Sequence, residues 1–127
     1  MKLLSIQSNR ITVIEGLDEL ENLEEFYISN NGIREIQGLQ RNVKLVTLDL
    51  ASNFIEHVGN VSHLVNLQEF WFNDNKLADW NDIEQLSHAK QLDTVYFEGN
   101  PIARDSGYRR KIKLALPSLT QIDATMS

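Results

Sequence analysis

The chain has 127 residues, of which 42% are hydrophobic and 24% charged, and it carries a formal net charge of −6. That composition is ordinary for one globular domain, and the complete lack of Cys excludes disulfides and thiolate metal sites and favours an intracellular setting. No apolar run nears the ~20 residues that a helical membrane span needs, and the charge balance opposes a nucleic-acid face, which requires clustered Lys and Arg.

Taken in order, five stretches share one pattern. Met1 to Ile11, Leu23 to Ile33, Leu45 to Ile55, Leu67 to Leu77 and Leu92 to Ile102 are apolar at places one, four, six and eleven, with Asn at place nine. The landmarks Asn9, Asn31, Asn53, Asn75 and Asn100 are spaced by 22, 22, 22 and 25 residues. Such a fixed period is the signature of a solenoid, and the pattern resembles a short leucine-rich repeat. Places four and six, separated by one polar position, read as a short strand with one buried face. The Asn closes that strand, because a side-chain amide can both donate to and accept from turn backbone.

Each return leg carries apolar marks about three residues apart, such as Ile55, Val58, Val61 and Leu64, which suggests a tight 3-10 or irregular convex side. In the second copy Asn42 stands where Leu20 and Leu64 stand elsewhere, and Val43 is the expected replacement in the core. The fourth copy is three residues longer. Asn81 or Asp82 is its expected helix cap, Ile83 and Leu86 face inward, and Trp80 fills the extra room. After Ile102 the repeat stops. Asp105 or Ser106 is expected to cap a helix whose Tyr108, Ile112 and Leu116 share one face, with Arg109, Arg110, Lys111 and Lys113 solvated and Pro117 ending it. Leu119 and Ile122 complete a terminal cover, as solenoids require.

The expected architecture is an α/β leucine-rich-repeat solenoid. A curved parallel sheet lines its concave face and a helical cap closes it. It forms a single domain over 1–127, with repeats at 1–22, 23–44, 45–66, 67–91 and 92–103 and the cap at 104–127. The first coil has no such cover, so the sequence reads as part of a longer array; the alternative is self-association through that edge.

Function has to be sought on the concave face. Places three, five, seven and eight supply its twenty positions, which hold five acids and no Lys or Arg. Tyr27, Asp49, Trp71 and Tyr96 form the central column, and Glu25, Glu69, Asp74 and Glu98 surround it. Aromatics that bury much area at low entropy cost are favoured at binding hot spots, and acids steer a basic partner. No nucleophile and base are placed together by any motif, no Gly-rich phosphate loop is present, and His57, His63 and His88 fall scattered on return legs. Neither an enzyme, nor a cofactor, nor a metal site is expected.

Charge is uneven along the chain. Residues 1–103 hold 16 acids and 7 bases, a net of −9, whereas residues 104–127 hold 2 acids and 5 bases, a net of +3. The run Tyr96-Phe97-Glu98-Gly99-Asn100-Pro101-Ile102, then Tyr108-Arg109-Arg110-Lys111-Ile112, then Leu114-Ala115-Leu116-Pro117-Ser118-Leu119 and Gln121-Ile122-Asp123-Ala124-Thr125 resembles the C-terminal end of the leucine-rich-repeat regulatory subunits of protein phosphatase 1. The longer fourth copy, with Glu69-Phe70-Trp71 and Trp80-Asn81-Asp82, agrees. The resemblance implies a non-enzymatic regulator of nucleus and cytoplasm. Such a regulator binds the phosphatase catalytic subunit through concave positions that match Asp49, Glu69, Trp71 and Tyr96; the acidic face and the lack of a long apolar run separately argue against direct contact with nucleic acid or membrane. The alternative is a generic repeat scaffold for another basic protein surface, for example in a ribonucleoprotein.

Overall fold

The computed structural model describes residues 1–126. Seven short strands form one sheet in chain order: β1 (Leu3–Ser5), β2 (Glu25–Tyr27), β3 (Thr47–Asp49), β4 (Glu69–Trp71), β5 (Thr94–Tyr96), β6 (Gln121–Ile122) and β7 (Thr125–Met126). All neighbours run parallel except β6 and β7. The register is in phase with the repeat, so Leu4, Phe26, Leu48, Phe70 and Val95 stack at place four. This is a parallel β-solenoid with little helix, and each coil covers its neighbour's apolar side.

The core is one continuous cluster from Ile14 to Ile122. Phe70, Phe72 and Phe97 are fully buried, with ring centroids 5.3–6.0 Å apart. Beside them runs the amide ladder. Asn53 Oδ1 accepts from the amides of Asn31 and Ile33, while its Nδ2 donates to the carbonyls of Ile28, Leu50 and Ala51. Asn31, Asn75 and Asn100 bond in the same manner, each accepting from the preceding coil and donating to its own. Each amide therefore ties two successive turns together.

The chain turns out of each strand at place eight, where Ser8, Asn30, Ser52 and Asp74 adopt φ between 55° and 60°. Short polar side chains tolerate that left-handed region better than bulky ones. Its fifth occupant is Gly99, at φ +78°, where a Cβ would fall 2.1 Å from Asp74 Oδ1. Glycine is required there by both conformation and space.

The return legs depart from expectation at four points. Asn42 is itself buried, at 0% exposure, and Val43 stays 42% exposed. The Asn42 side chain donates to the carbonyls of Leu17 and Leu20, each of which also accepts a backbone amide of its own coil, and so ties the second coil to the first. In the long fourth copy a 3-10 helix spans Trp80–Leu86, and its cap is Asp79, whose side chain accepts from the Asn81 amide. Ile83 and Leu86 are buried as expected, but Trp80 is only partly so. Its ring meets Tyr108 at 6.4 Å and lies under the Lys111 ammonium at 5.2 Å.

A 3-10 turn, Pro101–Arg104, leads to α1 (Tyr108–Ala115). Gly107 is the cap residue of α1, and Asp105 instead accepts from the Gly107 amide. Tyr108, Ile112 and Leu116 are buried, as are Leu119 and Ile122. The basic run is not simply solvated. Arg109 donates to the Ile122 carbonyl, Lys113 to the Leu119 carbonyl, and Lys111 pairs with Asp105. Three of the four bases thus brace the cap internally, and Lys111 also reaches the fourth repeat through the Trp80 ring. At the other end, Leu3 on the edge strand β1 is 50% exposed.

Candidate functional site

Three-residue strands in phase bring residues 22 or 25 apart side by side, and that is how the central column forms. At place five, Tyr27 pairs with Asp49, Asp49 with Trp71, and Trp71 with Tyr96. Tyr27 and Trp71 meet across the small Asp49, with ring centroids 5.8 Å apart and planes tilted by 58°. Trp71 meets Tyr96 edge-on at 5.9 Å and 87°. Both arrangements suit the ring quadrupoles. The rings form a ladder, partly exposed to solvent along the concave face.

The acids at place three orient this ladder. Tyr27 Oη donates to Glu25 Oε1 at 2.5 Å, and Trp71 Nε1 donates to Glu69 Oε1 at 3.3 Å. The Glu25 carboxylate, helped by burial, pushes the Tyr27 hydroxyl up to about 12. Tyr27 therefore remains a neutral donor at any physiological pH. Tyr96 Oη accepts from Gln121 Nε2 of the terminal cap at 3.1 Å, which couples the cap to the site.

Asp49 differs from the exposed acid expected at its position. It is 3% exposed, under the rings on either side. Gln7 Nε2 donates to its Oδ2 at 3.2 Å and the Ala51 amide to its Oδ1 at 3.1 Å, while Gln7 also reaches Ser29 Oγ at 3.0 Å. Burial raises its pKa, opposed in part by these donors. Asp49 thus forms a floor for the ladder more than a free contact. Gln7 and Ser29 were not singled out by sequence reasoning, although the 22-residue register places both at place seven, beside Asp49.

A cleft of about 340 Å³ opens against this column, lined by Ser29, Asp49, Trp71, Asn73, Tyr96 and Glu98 among others. Glu98 stands exposed at its edge. Asp74, exposed at the turn, lies outside the lining and carries the left-handed conformation described above. The structure therefore brings Tyr27, Asp49, Trp71, Tyr96, Glu25 and Glu69 into one patch, with Glu98 and Asp74 at its margin. Such a patch offers flat aromatic area and negative charge, the means of holding apolar and basic groups.

The leucine-rich-repeat family model matches residues 1–125, almost the full length. The chain belongs to the leucine-rich-repeat family. Among repeat proteins it is 59% identical over 49 residues to protein phosphatase 1 regulatory subunit 7 of Xenopus tropicalis, covering 39% of this chain and 14% of that protein. It is 49% identical over 57 residues to protein phosphatase 1 regulatory subunit SDS22 of Schizosaccharomyces pombe, covering 42% and 17%. The aligned stretches therefore span less than a fifth of those relatives. A leucine-rich-repeat fold is also shared with the Drosophila melanogaster SNF/U2A′ complex, with a TM-score of 0.88 and 26% identity over 98% of this chain and 73% of that one.

Proposed function

We propose that this chain is a non-catalytic interaction module that binds the catalytic subunit of protein phosphatase 1 through its concave face. The observation that carries the reading is the Tyr27–Trp71–Tyr96 ladder with Glu25 and Glu69 bonded to its polar tips. A part-buried network of that kind holds large aromatic side chains in place before a partner arrives, which lowers the entropy cost of docking. The relatives named as phosphatase regulatory subunits supply the partner. In this reading Trp71 and the tyrosines provide most of the affinity, and Glu98, Glu69 and Asp74 provide steering and orientation. The module acts where that partner acts, in nucleus and cytoplasm.

The scaffold alternative draws support from the likeness to the SNF/U2A′ complex. The higher identity to phosphatase subunits favours the first reading. A binding assay with purified phosphatase 1 catalytic subunit separates the two. Saturable binding that an RNA competitor leaves unchanged supports the proposal. Failure to bind the catalytic subunit, with the fold verified by circular dichroism, removes it.

A further inference from the structure

We infer that His57, Asp79 and Asp82 form a site for a divalent first-row cation of the Zn2+ class on the convex side of the solenoid. Sequence spacing alone scatters the three histidines, but the coil brings one of them to two carboxylates. His57 and Asp79 are 22 residues apart and so occupy equivalent places on neighbouring coils, and the three-residue insertion of the fourth copy adds Asp82. His57 Nδ1 lies 2.9 Å from Asp82 Oδ2, and one ligand atom from each of the three residues lies within 4.8 Å of the others. Donors at ~2.0–2.2 Å from a cation sit about 3 Å apart, so the His57–Asp82 separation already fits and Asp79 has to close on them by no more than about 2 Å.

Both carboxylates are already held. The Val58 amide donates to Asp82 Oδ2 at 3.1 Å and the Asn81 amide to Asp79 Oδ1 at 2.9 Å. Such backbone bonds orient ligands at metal centres and leave lone pairs for the ion. Neutral imidazole can carry its proton on Nε2, which frees Nδ1 to coordinate. One imidazole with two carboxylates suits Zn2+, Mn2+, Co2+ or Ni2+, whereas Mg2+ and Ca2+ prefer all-oxygen sets. Glu56 and Lys76, of opposite charge, line the hollow beside His57 and Asp79. The imidazole is 71% exposed, which leaves room for water in the remaining positions. The cation would bridge two coils, away from the concave cleft, and the inference does not depend on the identity of the concave partner.

The test is calorimetric titration of Zn2+ into the metal-stripped 127-residue chain, with the melting temperature followed in parallel. Saturable one-to-one binding and a higher melting temperature are expected, because a ligand of the folded state stabilises it. His57→Ala and Asp79→Asn are each expected to weaken binding about tenfold or more, the scale on which even outer-shell changes act at metal sites. His63→Gln is expected to leave binding unchanged. Absence of saturable binding in the parent chain overturns the inference, as does equal affinity in the His57→Ala protein; the His57–Asp82 contact is then an ion pair only.

Discussion

Asn53 holds five backbone groups with one amide, four of them in the buried interior of two coils. Removing that amide leaves the buried backbone amides of Asn31 and Ile33 without their acceptor, so Asn53→Ala is expected to cost roughly 1–3 kcal/mol, as read by urea denaturation. Asn9, at the exposed end of the ladder, is expected to cost less. Asp49 works in the opposite direction. Burial raises its pKa in the folded state above the unfolded value, so the folded protein binds that proton more tightly. The contribution of Asp49 to stability therefore rises as pH falls towards the carboxylate range, and its ionised form carries a penalty at neutral pH. Asp49→Asn is expected to flatten this part of the profile and to raise stability at pH 7, measured by denaturation at several pH values. These residues also show what the sequence made legible. The Asn at place nine was readable from its period, since five copies in register leave little alternative. The burial of Asp49 was not, because it depends on the sizes of Tyr27 and Trp71 on adjacent strands, and a repeat pattern specifies places, not the coverage of one place by another.

At the scale of elements, the strands and the terminal helix follow from apolar periodicity, whereas their caps do not. The expected caps at Asn81 or Asp82 and at Asp105 or Ser106 are displaced by one to three positions to Asp79 and Gly107. Several polar residues stand in each junction, and sequence alone does not rank them. The cap's most informative contact was likewise hidden. Asp123 Oδ1 accepts from the amides of Phe97 and Glu98, and its Oδ2 accepts from Tyr108 Oη at 2.8 Å. A carboxylate thereby closes backbone that the Asn ladder closes elsewhere, and helix α1 is tied to the end of the sheet. Tyr108→Phe is expected to destabilise by roughly 1–3 kcal/mol, since it strips one donor from a buried acceptor, with the loss visible in equilibrium unfolding. Because Gln121 links the same cap to Tyr96, loosening the cap is also expected to disturb the aromatic ladder.

At the scale of the whole molecule, the coil separates scaffold from surface. Places one, four, six, nine and eleven build the solenoid, and the intervening places form its acidic aromatic concave face. Steering by charge predicts a specific salt dependence. Glu98→Lys with Asp74→Lys is expected to slow association with the phosphatase catalytic subunit at low ionic strength, and the difference is expected to fade in about 1 M salt, where screening acts within about 3 Å. Stopped-flow association rates at two salt concentrations would measure it. The most direct measurement is the affinity of the Trp71→Ala chain for that catalytic subunit, with circular dichroism confirming the fold. A loss of ~2 kcal/mol or more, about thirtyfold in Kd, is expected; an affinity equal to that of the parent chain would rule out Trp71 as the binding anchor.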